Sequence, residues 1–84
     1  MGQIVYASGA LRALRRMPAN EARKIRSKIE QYADDPASLA NNVKRLIGRP
    51  GYRLRIGDWR VIFDRNGRDL TILAIGGRGG IYEQ

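Results

Sequence analysis

The stretch that decides the fold covers residues 51–63 and reads GYRLRIGDWRVIF. Apolar and basic residues alternate on both sides of Gly57-Asp58, and this period of two is typical of β-strands with one buried face. A Gly-Asp pair suits a two-residue turn. The stretch therefore predicts a β-hairpin with strands at residues 52–56 and 59–63.

The turn fixes which residues of the hairpin lie opposite one another. With Gly57 and Asp58 in the turn, Arg55 lies directly opposite Arg60, and directly opposed residues share a face of the sheet. Arg53 emerges on the same face, because side chains alternate along a strand. The other face consists of apolar residues that suit packing against helices: Tyr52, Leu54, Ile56, Trp59, Val61 and Phe63.

The predicted arginine face can be interpreted in two ways. Like-charge repulsion between Arg55 and Arg60 destabilises the sheet by about a few tenths of a kcal/mol. An anion between the two guanidinium groups would remove this repulsion. The register therefore favours an anion-binding face, and the alternative is the ordinary solvated face of an antiparallel sheet.

A short strand and two helices are predicted before the hairpin. Residues 3–6 form an apolar run that indicates a strand, and Ser8 is suited to cap a first helix with arginines on its outer side. Met17-Pro18 ends that helix, because proline disfavours the helical conformation in the residue before it. Apolar residues at three-and-four spacing over residues 20–33 predict a second helix.

The remaining segments complete the predicted sheet. Residues 38–50 indicate a connection, and a tight turn at Asn66-Gly67 leads to a third hairpin strand at residues 70–75. The expected anchors of the connection are Leu39, Val43, Leu46 and Ile47. The order β-α-α-β-β-β predicts an α+β fold, with a helical hairpin packed on one face of an antiparallel sheet. Residues 1–84 are expected to form a single domain.

Charge and composition narrow the classes of function. The chain has 16 basic and 8 acidic residues, a net charge of +8, and 13 of the basic residues are arginine. The planar guanidinium fork matches phosphate, so this bias favours nucleic acid as a ligand. The alternatives are an acidic partner protein and a coding bias. No segment is typical of a signal peptide or a membrane span, so we expect a cytoplasmic protein with no membrane partner.

The residue types that are missing limit the chemistry. The sequence contains no histidine and no cysteine, which excludes histidine-pair ribonuclease chemistry, cysteine nucleophiles and the usual transition-metal sites. No acidic cluster suggests a two-metal nuclease, so no metal or cofactor is expected. Tyr82 could assist deprotonation of an RNA 2′-hydroxyl while Arg55, Arg60 and Arg78 stabilise charge on the phosphate. The alternative role of Tyr82 is packing at the edge of the core.

The hairpin of residues 51–63, together with the closing run RGGIY at residues 78–82, resembles the RelE toxins of bacterial toxin–antitoxin modules. The similarity spans nearly the whole chain, and these two stretches are its most specific parts. It implies a RelE-like fold and a metal-independent endoribonuclease that cuts messenger RNA in the ribosomal A site and thereby inhibits translation. It also implies contact with ribosomal RNA and silencing by a separately encoded antitoxin.

The resemblance assigns expected roles by position. Arg53 and Arg55 stand where the family often has a basic pair, Arg60 matches the strand arginine, and Arg78 and Tyr82 match the closing arginine and tyrosine. The expected catalytic residues are therefore Arg55, Arg60, Arg78 and Tyr82. The expected RNA contacts are Arg12, Arg15, Arg16, Arg23, Lys44, Arg45, Arg53 and Arg55.

The sequence also departs from that family. Some relatives have lysine at the positions of Arg53 and Arg55, where it can transfer protons, and many have histidine where this chain has Gly77. Only two residues follow Tyr82, whereas some members continue into a helix. These differences are compatible with reduced or redirected activity. The related ParE toxins share the fold but poison DNA gyrase, so a gyrase-inhibiting toxin is one alternative and a noncatalytic RNA- or ribosome-binding module is another.

Overall fold

The computed structural model describes residues 2–77. The strands are β1 (Ile4–Tyr6), β2 (Val43–Arg45), β3 (Tyr52–Ile56), β4 (Trp59–Asn66) and β5 (Asp69–Gly77). The helices are α1 (Ser8–Arg16), α2 (Ala19–Asp34) and a 3₁₀ helix (Pro36–Asn42). The helix–helix hairpin and the three-stranded meander confirm the predicted α+β arrangement, to which the structure adds a 3₁₀ helix and a strand.

The sheet is mixed, whereas the sequence predicted an antiparallel one. Its strand order is β1-β5-β4-β3-β2, and β1 pairs with β5 in parallel through Ile4↔Leu70 and Tyr6↔Ile72. A parallel pair needs a long crossover, and here the whole intervening chain serves as one. The residue pattern of a three-residue edge strand carries no information about its direction, so the parallel pairing could not be predicted.

The register of the central hairpin confirms the prediction. Arg55 lies opposite Arg60 and Ile56 lies opposite Trp59. Gly57 has a φ of +57°, in the left-handed region that glycine enters at no steric cost. The turn residue thus sets which side chains share each face.

The second turn lies one residue later than predicted. Asn66 is still in β4 and pairs with Asp69, so the turn residues are Gly67 and Arg68 rather than Asn66 and Gly67. Gly67 has a φ of +62° and takes the first turn position. The ladder also shifts register at Ile62/Phe63, an irregularity that alternation alone could not reveal.

The first helix begins without the predicted serine cap. Ala7 is the N-cap, Ser8 is the first helical residue, and no side chain among residues 2–77 caps this terminus. The backbone N–H of Ala7 donates to the carbonyl of Ile72 at 2.8 Å, and its carbonyl accepts from Leu11 at 3.0 Å. The tie from Ala7 to β5 makes the chain turn into the helix one residue earlier. The second helix agrees with its prediction within one residue at each end.

The segment predicted as a plain connection, residues 38–50, contains most of the 3₁₀ helix and all of β2. Leu39 is buried as expected, and Val43 and Leu46 are half-buried. Ile47 is 84% exposed, so its expected anchoring role is wrong. It follows the last paired residue of β2, Arg45, in the loop to β3, where no strand neighbour holds it against the core.

The hydrophobic core lies between the helices and one face of the sheet. Val61, Leu54 and Phe63 are almost fully buried, which confirms the predicted apolar face. Burying one such side chain contributes about 1.5–3 kcal/mol relative to leaving it exposed. Within residues 2–77, the same packing leaves the opposite face of the sheet free of helices. No helix within residues 2–77 is long and apolar enough to cross a membrane.

Candidate functional site

Four cations share the face of the sheet that the helices leave uncovered. Arg55 lies opposite Arg60, and Lys44 on β2 lies opposite Arg53. We name these four residues the basic face. They form two directly opposed like-charge pairs on three adjacent strands, an arrangement that destabilises a sheet by about 0.2–1 kcal/mol per pair unless an anion intervenes.

The alternation of β3 explains why its arginines point away from the core. Leu54 and Ile56 are buried toward the helices, so Arg53 and Arg55 emerge on the other side. An apolar residue lies among these four cations: Ile62 is opposite Arg53 and is only 2% exposed. The basic face therefore has a buried aliphatic residue at its centre, which the alternating pattern placed on this side but whose burial it did not predict.

The residues beside the basic face are small. On β5, Gly76 lies opposite Arg60 and Ala74 lies opposite Ile62. A side chain of this size lets a ligand backbone approach closely. On the same side of the sheet, Asp64 and Val5 lie farther along, so the strand cations of this face within residues 2–77 lie in the part near the β3–β4 turn.

Three hydrogen bonds from side chains hold the turn region of the site. The Arg60 guanidinium donates to the carbonyl oxygens of Gly57 at 3.4 Å and of Trp59 at 3.3 Å. The Asn42 side chain donates to the carbonyl of Arg55 at 3.2 Å and so joins the 3₁₀ helix to β3. These contacts fix the backbone on which Arg55 and Arg60 stand.

A further contact links the turn to the second helix. The Trp59 indole N–H donates to the Glu21 carboxylate at 2.9 Å, and Lys24 lies 3.8 Å from the same carboxylate. Trp59 immediately precedes Arg60, so α2 supports the strand that carries this arginine. Sequence reasoning placed Trp59 on the apolar face but gave no signal for its partner.

The other expected RNA contacts lie elsewhere. Arg12, Arg15 and Arg16 are exposed on α1, and Arg23 is exposed on α2, in the helical layer across the sheet from the basic face. Arg45 lies opposite Tyr52 and hence on the helix side of the sheet. Of the predicted RNA contacts, the structure thus brings together Lys44, Arg53 and Arg55, and it places them beside the expected catalytic residue Arg60.

Two expected catalytic residues, Arg78 and Tyr82, lie outside the described residues. The last described residue, Gly77, pairs with Trp59 beside Arg60. Tyr6 is a different kind of phenol: burial raises its pKa above the usual 10, against the opposing effect of the nearby Arg26. Tyr6 is therefore protonated at neutral pH and, opposite Ile72, lies on the helix side.

The described residues offer no evident metal site. Within residues 2–77, no group of three or more histidine, cysteine, aspartate or glutamate side chains is placed to hold a metal ion. The arrangement that remains is a shallow cationic surface on a rigid sheet, which can bind anions and stabilise negative charge.

A family profile described as "ParE toxin of type II toxin-antitoxin system, parDE" matches residues 4–82. The chain belongs to this toxin family, within the RelE/ParE superfamily. The predicted resemblance to toxins of this superfamily is thereby confirmed. The protein is a toxin of a type II toxin–antitoxin module. No curated protein matches its sequence.

Solved structures show the same fold for this ParE-family toxin. The chain is similar to the archaeal RelE–RelB complex from Pyrococcus horikoshii OT3, with 25% identity, a TM-score of 0.77, and coverage of 94% of this chain and 97% of that chain. The isolated E. coli RelE toxin has 14% identity and a TM-score of 0.74, over 98% of this chain and 89% of that one. The Methanococcus jannaschii RelB–RelE complex has 21% identity and a TM-score of 0.72, covering 94% and 95%. The last two likenesses concern the fold alone.

Proposed function

We propose that this toxin is a metal-independent endoribonuclease that cuts messenger RNA in the ribosomal A site and so inhibits translation. The observation that carries the proposal is the basic face, where Arg55 and Arg60 are directly opposed and Arg53 and Lys44 adjoin them. An RNA phosphate between these side chains would relieve their mutual repulsion, and the guanidinium forks match its oxygens.

The proposed reaction is an attack within the RNA chain. The 2′-oxygen forms a bond to phosphorus, the bond from phosphorus to the 5′-oxygen breaks, and the 2′-hydroxyl proton passes to a base while the leaving oxygen takes up a proton. Arg55, Arg60 and Arg78 stabilise the charge that grows on the phosphate oxygens. Arginine cannot serve as the base, because it stays protonated in proteins.

Tyr82 is the proposed proton acceptor. An unperturbed tyrosine has a pKa of about 10, too high for efficient proton transfer at neutral pH. Nearby guanidinium groups favour the phenolate and would lower that pKa. Tyr6, whose pKa burial raises, is unsuited to this role.

Inhibition of DNA gyrase is the second candidate, because the matching family profile is that of ParE toxins. The two candidates leave different damage in cells. We expect induced expression to arrest growth and to produce new transcript ends within coding regions. Arrest with intact transcripts and accumulating cleaved DNA would replace the ribonuclease proposal with the gyrase one.

A separately encoded antitoxin completes the proposal, because several similar structures are RelE–RelB complexes. We expect an acidic antitoxin that covers the basic face in the cytoplasm, since burying four cations without counter-charges would be costly. Co-expression with the reading frame that adjoins the toxin gene should restore growth. Charge reversal of that antitoxin's acidic residues should abolish the rescue.

A further inference from the structure

A second group of arginines lies on the helix side of the sheet, around the ring of Tyr52. The guanidinium carbon of Arg65 lies 5.2 Å from the ring centroid, and that of Arg45 lies 6.0 Å from it. The Tyr52 ring itself stacks on Phe63, with centroids 5.4 Å apart and an interplanar angle of 21°. We name Arg45, Tyr52 and Arg65 the tyrosine clamp.

The register explains this placement. Arg45 on β2 lies directly opposite Tyr52 on β3, and Arg65 on β4 lies opposite the buried Leu70 on β5. The side chains of Arg45, Tyr52 and Arg65 are therefore all on the core side of the sheet. They are at the end of the sheet away from the Gly57 turn. Both arginines are nevertheless exposed, since the helices do not cover this end.

The clamp holds its arginines without using up their hydrogen-bond donors. Stacking on a tyrosine ring orients a guanidinium plane while its N–H groups stay at the rim. The Arg65 guanidinium donates one hydrogen bond to the Tyr32 hydroxyl at 2.8 Å, which fixes the Arg65 side chain further. Among residues 2–77, neither Arg45 nor Arg65 has a carboxylate within 4.0 Å. Two cations thus meet at one ring, and neither forms an ion pair with a carboxylate of residues 2–77.

A concavity of about 310 Å³ adjoins the clamp. Of the clamp, Arg65 lines it, together with Arg68, Tyr32 and the acidic Asp34. Gly67 also lines it, with open space where a side chain would be. An anionic group held by the two clamp arginines would therefore have room beside it for the rest of a larger ligand.

We propose that the tyrosine clamp is a second phosphate-binding site, which grips the backbone of ribosomal RNA while the basic face holds the strand that is cut. The clamp and the basic face are on opposite sides of the sheet, so one thin strand lying on the basic face does not reach both. Cations on both sides of a chain with net charge +8 suit a protein enclosed by a large polyanion. This inference rests on the proposed ribosome-dependent function, and it adds Arg65 and Tyr52 to the expected RNA contacts.

Co-sedimentation with purified bacterial ribosomes over a range of salt concentrations tests the clamp. Each phosphate contact contributes roughly 0.7–0.9 to the slope of log affinity against log salt. The double variant R45Q/R65Q should bind more weakly at moderate salt, with a slope smaller by about 1–2. The matched control is Arg26→Gln: Arg26 also lies over a tyrosine, 5.0 Å from the Tyr6 centroid, but that tyrosine also has the acidic Glu30 nearby. The control should leave the slope unchanged.

Arg65→Lys separates charge from orientation. Lysine keeps the charge but loses the planar fork, so binding should fall to a value between wild type and Arg65→Gln. Thermal unfolding of each variant shows that the binding was measured on folded protein. Equal slopes for R45Q/R65Q and wild type would overturn the proposal that the clamp binds ribosomal RNA. Weakened antitoxin binding with unchanged ribosome binding would also overturn it, because the clamp would then be a site for an acidic peptide.

A separate probe keeps this test independent of RNA cutting. Binding of a fluorescent RNA hairpin and of an unstructured oligonucleotide is measured without ribosomes. If the clamp grips structured RNA, R45Q/R65Q should lose affinity for the hairpin more than for the single strand. Failure of the cleavage proposal with this difference intact would leave the clamp standing, whereas a larger loss for the single strand would assign the clamp to messenger RNA.

Discussion

The two sides of the sheet both present arginines, but they hold them in different ways. On the basic face, Arg55 and Arg60 stand beside each other because the strand register opposes them. On the helix side, Arg45 and Arg65 are oriented by the ring of Tyr52. The first arrangement concentrates positive charge where a reacting phosphate could lie, and the second suits binding of an RNA phosphate that does not react. Catalysis should therefore depend on the first and affinity on the second.

The largest expected effect is on the basic face. Arg60→Ala should lower messenger RNA cleavage by roughly 10²–10³-fold, as the loss of one preorganised donor to a developing oxyanion typically does. The measurement is single-turnover cleavage on programmed ribosomes at saturating toxin. Arg26→Ala removes the same charge from the helical layer and should cleave at the wild-type rate. Equal cleavage rates for Arg60→Ala and Arg26→Ala would contradict the idea that catalysis depends on the basic face and not on the helix side.

A second prediction concerns the phenol of the closing run. Tyr82→Phe keeps the ring but deletes the hydroxyl, so a proton acceptor at this position predicts a large loss of cleavage. The thermal unfolding midpoint should not change. Full cleavage by this variant would leave the arginines as the sole carriers of the reaction and return Tyr82 to a packing role.

A smaller effect is expected at the contact that joins the two layers. Trp59→Phe removes the indole donor to Glu21 and should destabilise the fold by about 1 kcal/mol, since hydrogen bonds to partly exposed charged groups contribute modestly. A double-mutant cycle with Glu21→Ala, followed by chemical denaturation, isolates this pair. Additive effects of the two substitutions would show that the bond contributes nothing to stability.

The smallest expected effect is a loss of stability at alkaline pH. Burial raises the pKa of Tyr6 in the folded state, so its contribution to stability is fully present below the unfolded pKa of about 10 and is lost as pH rises through the folded value. The free energy of unfolding should therefore fall above pH ~10. Tyr6→Phe should fall less steeply over the same range. Parallel curves for the two proteins would contradict this assignment.

The comparison also shows what the sequence could reveal. Local rules were sufficient for the arginines of the basic face, because a two-residue turn at Gly57-Asp58 and strict alternation set the pairing of Arg55 with Arg60. The pairing of Lys44 with Arg53 depends on β2, a three-residue edge strand that its residues did not distinguish from a loop. Its place beside the arginines followed only from the structure.

The tyrosine clamp was beyond local rules for a different reason. Arg65 meets Tyr32 across 33 positions of sequence and Tyr52 across a neighbouring strand. Such contacts depend on where α2 ends over the sheet, which no residue period encodes. The parallel pairing of β1 was hidden for the same reason, since it is fixed by the path of the whole chain.

Cleavage of a defined messenger RNA by purified toxin, with and without ribosomes, tests the central claim most directly. We expect cuts at codons in the A site of programmed ribosomes, no cuts in the RNA alone, and loss of the cuts in Arg60→Ala. Intact messenger RNA on programmed ribosomes, with toxin shown to be folded and active in arresting growth, would contradict it.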